Sequence, residues 1–206
     1  MSTIAQFRTK VYLLIDDPAP SRYTANQVDQ ALRQALNTYD EYRPNMESYI
    51  LEATGSQRLV MPADINIRWI KKVEWIREDQ YQDEIGFYAY FQDTQWTIET
   101  IRTVVPSGDQ VAVEYAARHY IDGLDSAAGT SVPDVDDDLL AIGAAAYAIR
   151  SRASSKLEDN NLNKDEAKML NELANEYLRS FLAGLGTPDT VFKSSTWADR
   201  SIDSNY

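Results

Sequence analysis

The chain has 206 residues, enough for one good core or a main domain carrying a smaller inserted one, but not for several independent domains. With 44% hydrophobic and 25% charged residues, including 13 Tyr, 5 Phe and 4 Trp, it has the composition of a folded globular protein, which excludes wholesale disorder. A formal net charge of −12 argues against a protein that grips nucleic acid through phosphates, and the lack of cysteine excludes a disulfide framework, a thiolate nucleophile and a cysteine-ligated zinc.

Ile4, Phe7, Val11 and Leu14 fall at the spacing of one helical face, and Asp17-Pro18-Ala19-Pro20 ends that first helix. Thr24-x-x-Gln27 then reads as a capping box. It opens a second helix with Val28, Ala31, Leu32, Ala35, Leu36 and Tyr39 on one face, stopped by Arg43-Pro44. The start of the chain, Met1 to Lys10, lacks a basic-then-apolar signal pattern. The longest apolar stretch, Leu139 to Ile149, is too short for a bilayer, so no membrane role is expected and the chain is read as made and used in a cytoplasm.

From about Ser48 to Ala117 the period shifts from helical to alternating. Tyr49/Leu51/Ala53 followed by Thr54-Gly55-Ser56-Gln57 and Leu59/Met61 predicts a hairpin. Val73/Trp75, Phe87/Ala89/Phe91, Trp96/Ile98 and Val111/Val113/Tyr115 predict four further strands, the last two linked by a turn at Pro106-Ser107-Gly108-Asp109. A small antiparallel sheet or sandwich follows.

Asp122 to Ser131, rich in Gly, Ser, Ala and Asp, reads as a flexible linker. Val132-Pro133-Asp134 starts a third helix, with Asp136, Asp137 and Asp138 against the positive end of its dipole, running to about Leu157. After Glu158-Asp159-Asn160-Asn161 a fourth helix carries the stripe Leu170, Leu173, Ala174, Tyr177, Leu178, Phe181 and Leu182, closed by Gly184 and Gly186. The remainder has no period, yet spaces Phe192, Trp197, Ile202 and Tyr206 among Ser, Thr and Asp, the pattern of a tail that docks on a partner or an adjacent subunit.

The expected fold class is therefore α+β: a four-helix bundle made of two helix pairs, with an antiparallel β domain inserted between the pairs and an extended C-terminal tail. The predicted boundaries are 1–46 and 132–186 for the bundle, 47–121 for the β domain, 122–131 for the linker and 187–206 for the tail.

Motifs for chemistry are sparse. Asp134-x-Asp136-x-Asp138 begins like a calcium loop, but the positions that need Gly and Glu hold Leu139 and Ala145, so charge compensation at a helix start competes with metal binding. His119 is the single histidine, and no Gly-x-Ser-x-Gly elbow or phosphate-cradling glycine loop accompanies it, which favours a structural role at a strand end. No catalytic residue, metal site or cofactor is predicted. Arg150, Arg152 and Lys156 form a basic cluster, either solvated, paired with acids of a neighbour, or touching DNA. Between Leu139 and Ile149 the small residues Gly143, Ala145 and Ala148 leave no polar face, so the helix is covered on all sides, by its own subunit or by packing of a second one.

Four stretches together resemble the head-to-tail adaptor (connector, neck) proteins of tailed bacteriophages. They are Ala35-Leu36-Asn37-Thr38-Tyr39-Asp40-Glu41-Tyr42-Arg43-Pro44, Leu59-Val60-Met61-Pro62-Ala63-Asp64-Ile65 with Val73-Glu74-Trp75, Val111 to His119, and Val132 to Ala144. The resemblance is one of pattern over most of residues 3–185. It implies a structural virion protein without enzymatic activity, assembled in the host cytoplasm into a twelvefold ring beneath the portal protein. Such a ring extends the DNA channel, lets genomic DNA pass without specific binding, and offers a platform to a tail or nozzle protein. A later neck component, tail-completion or gatekeeper, shares parts of the pattern. The competing class is a cytoplasmic enzyme with a carboxylate-based cleft.

Overall fold

Thr24 begins the second helix as its sequence requires: the Gln27 N–H donates to Thr24 Oγ1 at 3.3 Å while the Thr24 N–H donates to Gln27 Oε1 at 2.8 Å. The computed structural model describes residues 2–77, 82–158 and 164–187. Among them are four α-helices and two antiparallel sheets, so the fold is mixed α and β. Residues 2–44 and 119–187 form one compact unit and residues 45–118 another.

In the first unit, α1 (Ile4–Leu14), α2 (Ala25–Tyr42), α3 (Asp137–Glu158) and α4 (Lys164–Leu185) contribute to one apolar core. Phe7 and Val11 from α1, Val28, Leu32, Ala35 and Tyr39 from α2, Leu140, Ala144 and Ile149 from α3, and Ala174 and Phe181 from α4 are all buried there. α3 packs against each of the other three helices. This explains why it has no polar face over its first half, whereas α2 and α4 keep one. A 3-10 turn, Asp134–Asp136, leads into α3, and Asp137 and Asp138 occupy its first turn.

The segment read as a linker, 122–131, is hydrogen-bonded to the helical unit. Asp122 bridges Thr3, the Ile4 N–H donates to Asp122 O at 2.9 Å, and Thr130 Oγ1 donates to Ser2 O at 2.6 Å. Ile121, Leu124 and Val132 are buried in the same core. Its Gly, Ser and Asp residues serve turns and side-chain hydrogen bonds.

In the second unit the strands are β1 (Asn45–Glu52), β2 (Arg58–Val60), β3 (Ile67–Ile76), β4 (Gln82–Glu84), β5 (Phe87–Gln92), β6 (Gln95–Thr100) and β7 (Gln110–Ala117). One sheet has the order β1-β7-β3-β4 and the other β2-β6-β5. Their apolar residues form one core that includes Val73, Val111 and Val113 from the first sheet and Leu59 and Ile98 from the second. The predicted hairpin between Tyr49 and Met61 does not form: β1 pairs with β7 and β2 with β6. Thr54–Gln57 instead carries the chain from one sheet to the other, as Pro106–Asp109 does in the return direction. The two crossings are bonded together, with the Ala53 N–H on Asp109 O at 2.8 Å and the Gly108 N–H on Ala53 O at 2.9 Å. β5 and β6 do form a tight hairpin, turning at Asp93 and Thr94, both with positive φ of 49° and 70°.

Candidate functional site

Where α2 ends, three charged or polar side chains meet. Tyr39 Oη donates to Asp136 Oδ2 at 2.6 Å, Arg43 forms an ion pair with the other oxygen of Asp136, and the second Arg43 nitrogen donates to Gly184 O at 2.8 Å. Arg43 thus joins the end of α2, the 3-10 turn and the end of α4. Burial, reinforced by the neighbouring Asp136 carboxylate, pushes the Tyr39 hydroxyl well above the ordinary tyrosine range. The hydrogen bond to Asp136 in turn raises Arg43 above its ordinary value.

His119 sits beside this cluster. Its ring lies edge-on to Tyr39 with centroids 5.0 Å apart, Nε2 lies 3.0 Å from Arg43 O, and Nδ1 lies 3.0 Å from Ser131 Oγ. A carbonyl can only accept, so Nε2 is the donor to Arg43 O. The backbone N–H of His119 donates to Asp40 Oδ1 at 3.0 Å. These partners fix the ring between the end of α2 and the segment after β7.

The Asp134/Asp136/Asp138 run does not converge. Asp136 faces Tyr39 and Arg43, whereas Asp138 pairs with Lys10 Nζ at 2.8 Å. Asp137 accepts from Ser2 Oγ and Lys10. Among the described residues no group of His, Asp and Glu gathers as a cation site. At the other end of α1, Asp17 accepts from the backbone N–H groups of Arg22, Ser21 and Tyr23 and from the Ser21 hydroxyl. Burial would raise its carboxyl, but these donors outweigh burial and hold it down at about 2.

The proposed subunit-packing residues are taken up inside the chain. A Cβ placed on Gly143 would lie 2.8 Å from the Phe181 ring of α4, and Ala145 and Ala148 are 0% and 2% exposed. The close helix approach that small residues permit is used here by α3 against its own neighbours. In the basic cluster, Arg152 donates to Arg22 O at 3.1 Å and stacks over Tyr23 at 5.1 Å, while Arg150 is exposed. The side chain of Lys156 and the tail residues Phe192, Trp197, Ile202 and Tyr206 lie outside the described residues.

A groove of about 510 Å³ opens in the β unit, a feature that sequence reading missed. Pro62, Asp64, Arg68, Phe91, Trp96 and Arg118 line it. It is built by register: Leu59, Ile98 and Ala89 form one row across β2, β6 and β5, and the next row on the same face is Met61, Trp96 and Phe91. Along that second row exposure rises from 0% at Met61 to 64% at Phe91, so the sheet's core-side face is uncovered at this end. Trp96 is held by its Nε1–H on Ile67 O at 3.0 Å and by an edge contact with Phe91, centroids 6.1 Å apart. Alternation alone signals which residues share this face, but not that the opposing layer stops short.

No protein-family model and no curated protein matches the chain. Among solved structures it is similar to chains of gene transfer agent (GTA) particles. One is from the neck of an empty GTA particle computed with C6 symmetry, with a TM-score of 0.32 and 14% identity, covering 70% of this chain and 76% of that one. Another is from the virion of a native GTA particle, at TM-score 0.32 and 14% identity, covering 84% and 87%. A third is from the neck of a native particle computed with C12 symmetry, at TM-score 0.28 and 12% identity, covering 86% and 92%. Among the described residues no helix is long and apolar enough to cross a membrane.

Proposed function

We propose that this chain is a structural component of a phage-type virion neck: a head-to-tail adaptor whose copies form a ring beneath the portal protein, extend the DNA channel and receive a tail protein. The observation that carries this reading is the arrangement of the helices. Two helix pairs, separated in sequence by the whole of residues 45–118, contribute to one core, and the β unit is the insertion between them. That is the organisation implied by the resemblance to connector proteins.

Two further features support it. The polar groups clustered at the end of α2, Tyr39, Arg43, His119 and Asp136, are bonded to one another or to backbone, which suits a structural task better than turnover. The net charge of −12 suits a wall past which DNA slides, because a negative surface repels phosphate. The 188–206 segment, with its spaced aromatics, would supply a docking element in such a ring.

The test is the mass of the purified full chain alone and mixed with the portal protein encoded in the same genome, read by native mass spectrometry and by electron-microscopic class averages. A ring of this chain stacked on the portal, with an open centre, is the expected result. A chain that stays monomeric and never associates with the portal at high concentration would overturn the reading.

A further inference from the structure

We infer that the groove at the open end of the β unit receives the loop between α1 and α2 of a neighbouring copy, whose Pro18 and Pro20 cover Phe91 and Trp96. This contact rests on the ring proposed above and specifies how its copies meet. The loop belongs to the helical unit and the groove to the β unit, so each copy carries one of each, the head-to-tail kind of interface that closes into a ring. The groove is preformed. Trp96 is held by its Nε1–H on Ile67 O at 3.0 Å, and Phe91, at 64% exposed, leaves its ring in water. Asp64 and Arg118, both exposed, stand on the same lining and give it one charge of each sign.

The occupant follows from shape and charge. Pro18, Ala19 and Pro20 are all exposed, so the loop Asp16-Asp17-Pro18-Ala19-Pro20-Ser21-Arg22 presents two proline rings to solvent. Asp17 accepts from the backbone N–H groups of Ser21, Arg22 and Tyr23, and proline fixes its own φ, so the loop is ordered before it docks and loses little freedom on binding. Stiff proline-bearing segments are what aromatic-lined grooves recognise. Asp16 and Arg22 flank the prolines and are exposed, so one alignment sets Asp16 against Arg118 and Arg22 against Asp64, while the reverse alignment opposes like charges. Two copies that each carry a net charge of −12 repel as wholes, and a contact with one acid and one base on either side escapes that penalty.

The experiment uses the full chain assembled in the presence of the portal protein and exploits its cysteine-free sequence. Ala19→Cys in the loop and Ala63→Cys on the groove lining, both at exposed positions, are made on separate chains, mixed and oxidised, and the disulfide is mapped by mass spectrometry. A disulfide between position 19 of one copy and position 63 of another is expected in the ring. Its yield should fall at least about fivefold when the Ala63→Cys chain also carries Phe91→Ala, in line with the loss of an interface anchor. Arg22→Asp on the Ala19→Cys chain should lower the yield similarly, and Asp64→Arg on the other chain should restore it, a rescue that loss of folding does not imitate. Rings that form without this disulfide, or a yield that ignores both the Phe91 and the charge substitutions, would overturn the contact and leave the ring standing. A chain that forms no ring on the portal would overturn both readings.

Discussion

Arg43 and Asp136 lie 93 residues apart in sequence and form an ion pair that ties the end of α2 to the start of α3 across the inserted β unit. Asp136 is nearly buried and also accepts from Tyr39, while the free arm of Arg43 reaches Gly184 at the end of α4. Arg43→Ala should therefore lower stability by about 2 kcal/mol, the value of a charge-assisted hydrogen bond plus the cost of a stranded buried carboxylate, reduced because the arginine is partly in water. Tyr39→Phe should lose about 1 kcal/mol. Because both touch Asp136, the double variant should lose clearly less or more than the sum. Urea midpoints of the four proteins give the answer, and strict additivity would mean that the three side chains do not act as one cluster.

Gly143 and Phe181 give a second test. The phenylalanine ring fills the space that any side chain at 143 would occupy, so Gly143→Ala should destabilise the helical unit by about 1–3 kcal/mol through overpacking, despite alanine's better helix propensity. Phe181→Leu should recover part of the loss in the double variant by making room. Ala145→Leu and Ala148→Leu should likewise unfold the chain rather than spare the fold and block assembly, since both sites are closed within one subunit. Thermal melts of the isolated protein separate these cases. A normal melt for Ala145→Leu with a failed ring would return the small-residue face to the subunit interface.

How much of this was readable from the sequence depended on whether the information was local. α2 was legible in full, because a capping box, an apolar stripe and a proline define its start, face and end. The strands were legible as strands, but not their partners: a period of two says which residues share a face and nothing about which strand lies alongside, so β1 was assigned to β2 when it pairs with β7. β4, Gln82–Glu84, escaped notice because three polar residues carry no alternation. The attachment of the 122–131 segment was not legible because it is made by single hydrogen bonds such as Thr130 to Ser2, which leave no periodic trace. The Arg43–Asp136 pair and the groove are both products of long-range closure, and one sequence holds no record of either.

His119 provides the test of whether polar residues here serve structure. Its ring bonds Arg43 O and Ser131, and its loss would leave both without that partner. His119→Ala should cost about 1–2 kcal/mol in stability. If the chain is a neck component, the substitution should still allow particle assembly below the melting temperature. His119→Gln, which can donate to the same carbonyl, should recover part of the stability. Particles that assemble normally with His119→Ala yet are inactive would argue for a chemical role of the imidazole.

The pH dependence of stability should carry the signature of Asp17. Its carboxylate gathers three backbone donors and the Ser21 hydroxyl at the turn between α1 and α2, and its folded-state value lies at about 2, below the 3.8 of an unperturbed group. A depressed acid binds its proton more weakly when folded than when unfolded, so the stabilisation is fully present above the unfolded value. It shrinks as the pH falls below that value and is gone once the folded group is protonated. The window thus runs from about pH 4 down to about pH 2. Asp125, held low by its hydrogen bonds to Arg33, acts in the same direction. Asp17→Asn keeps an acceptor oxygen but has no titrating group, so the variant should be less stable than the native chain at pH 6 and should approach it as the pH falls towards 2. Urea midpoints measured for both proteins between pH 6 and pH 2 report the difference directly. A gap that stayed constant across that range would show that Asp17 contributes through its shape and hydrogen-bond geometry alone, without its charge.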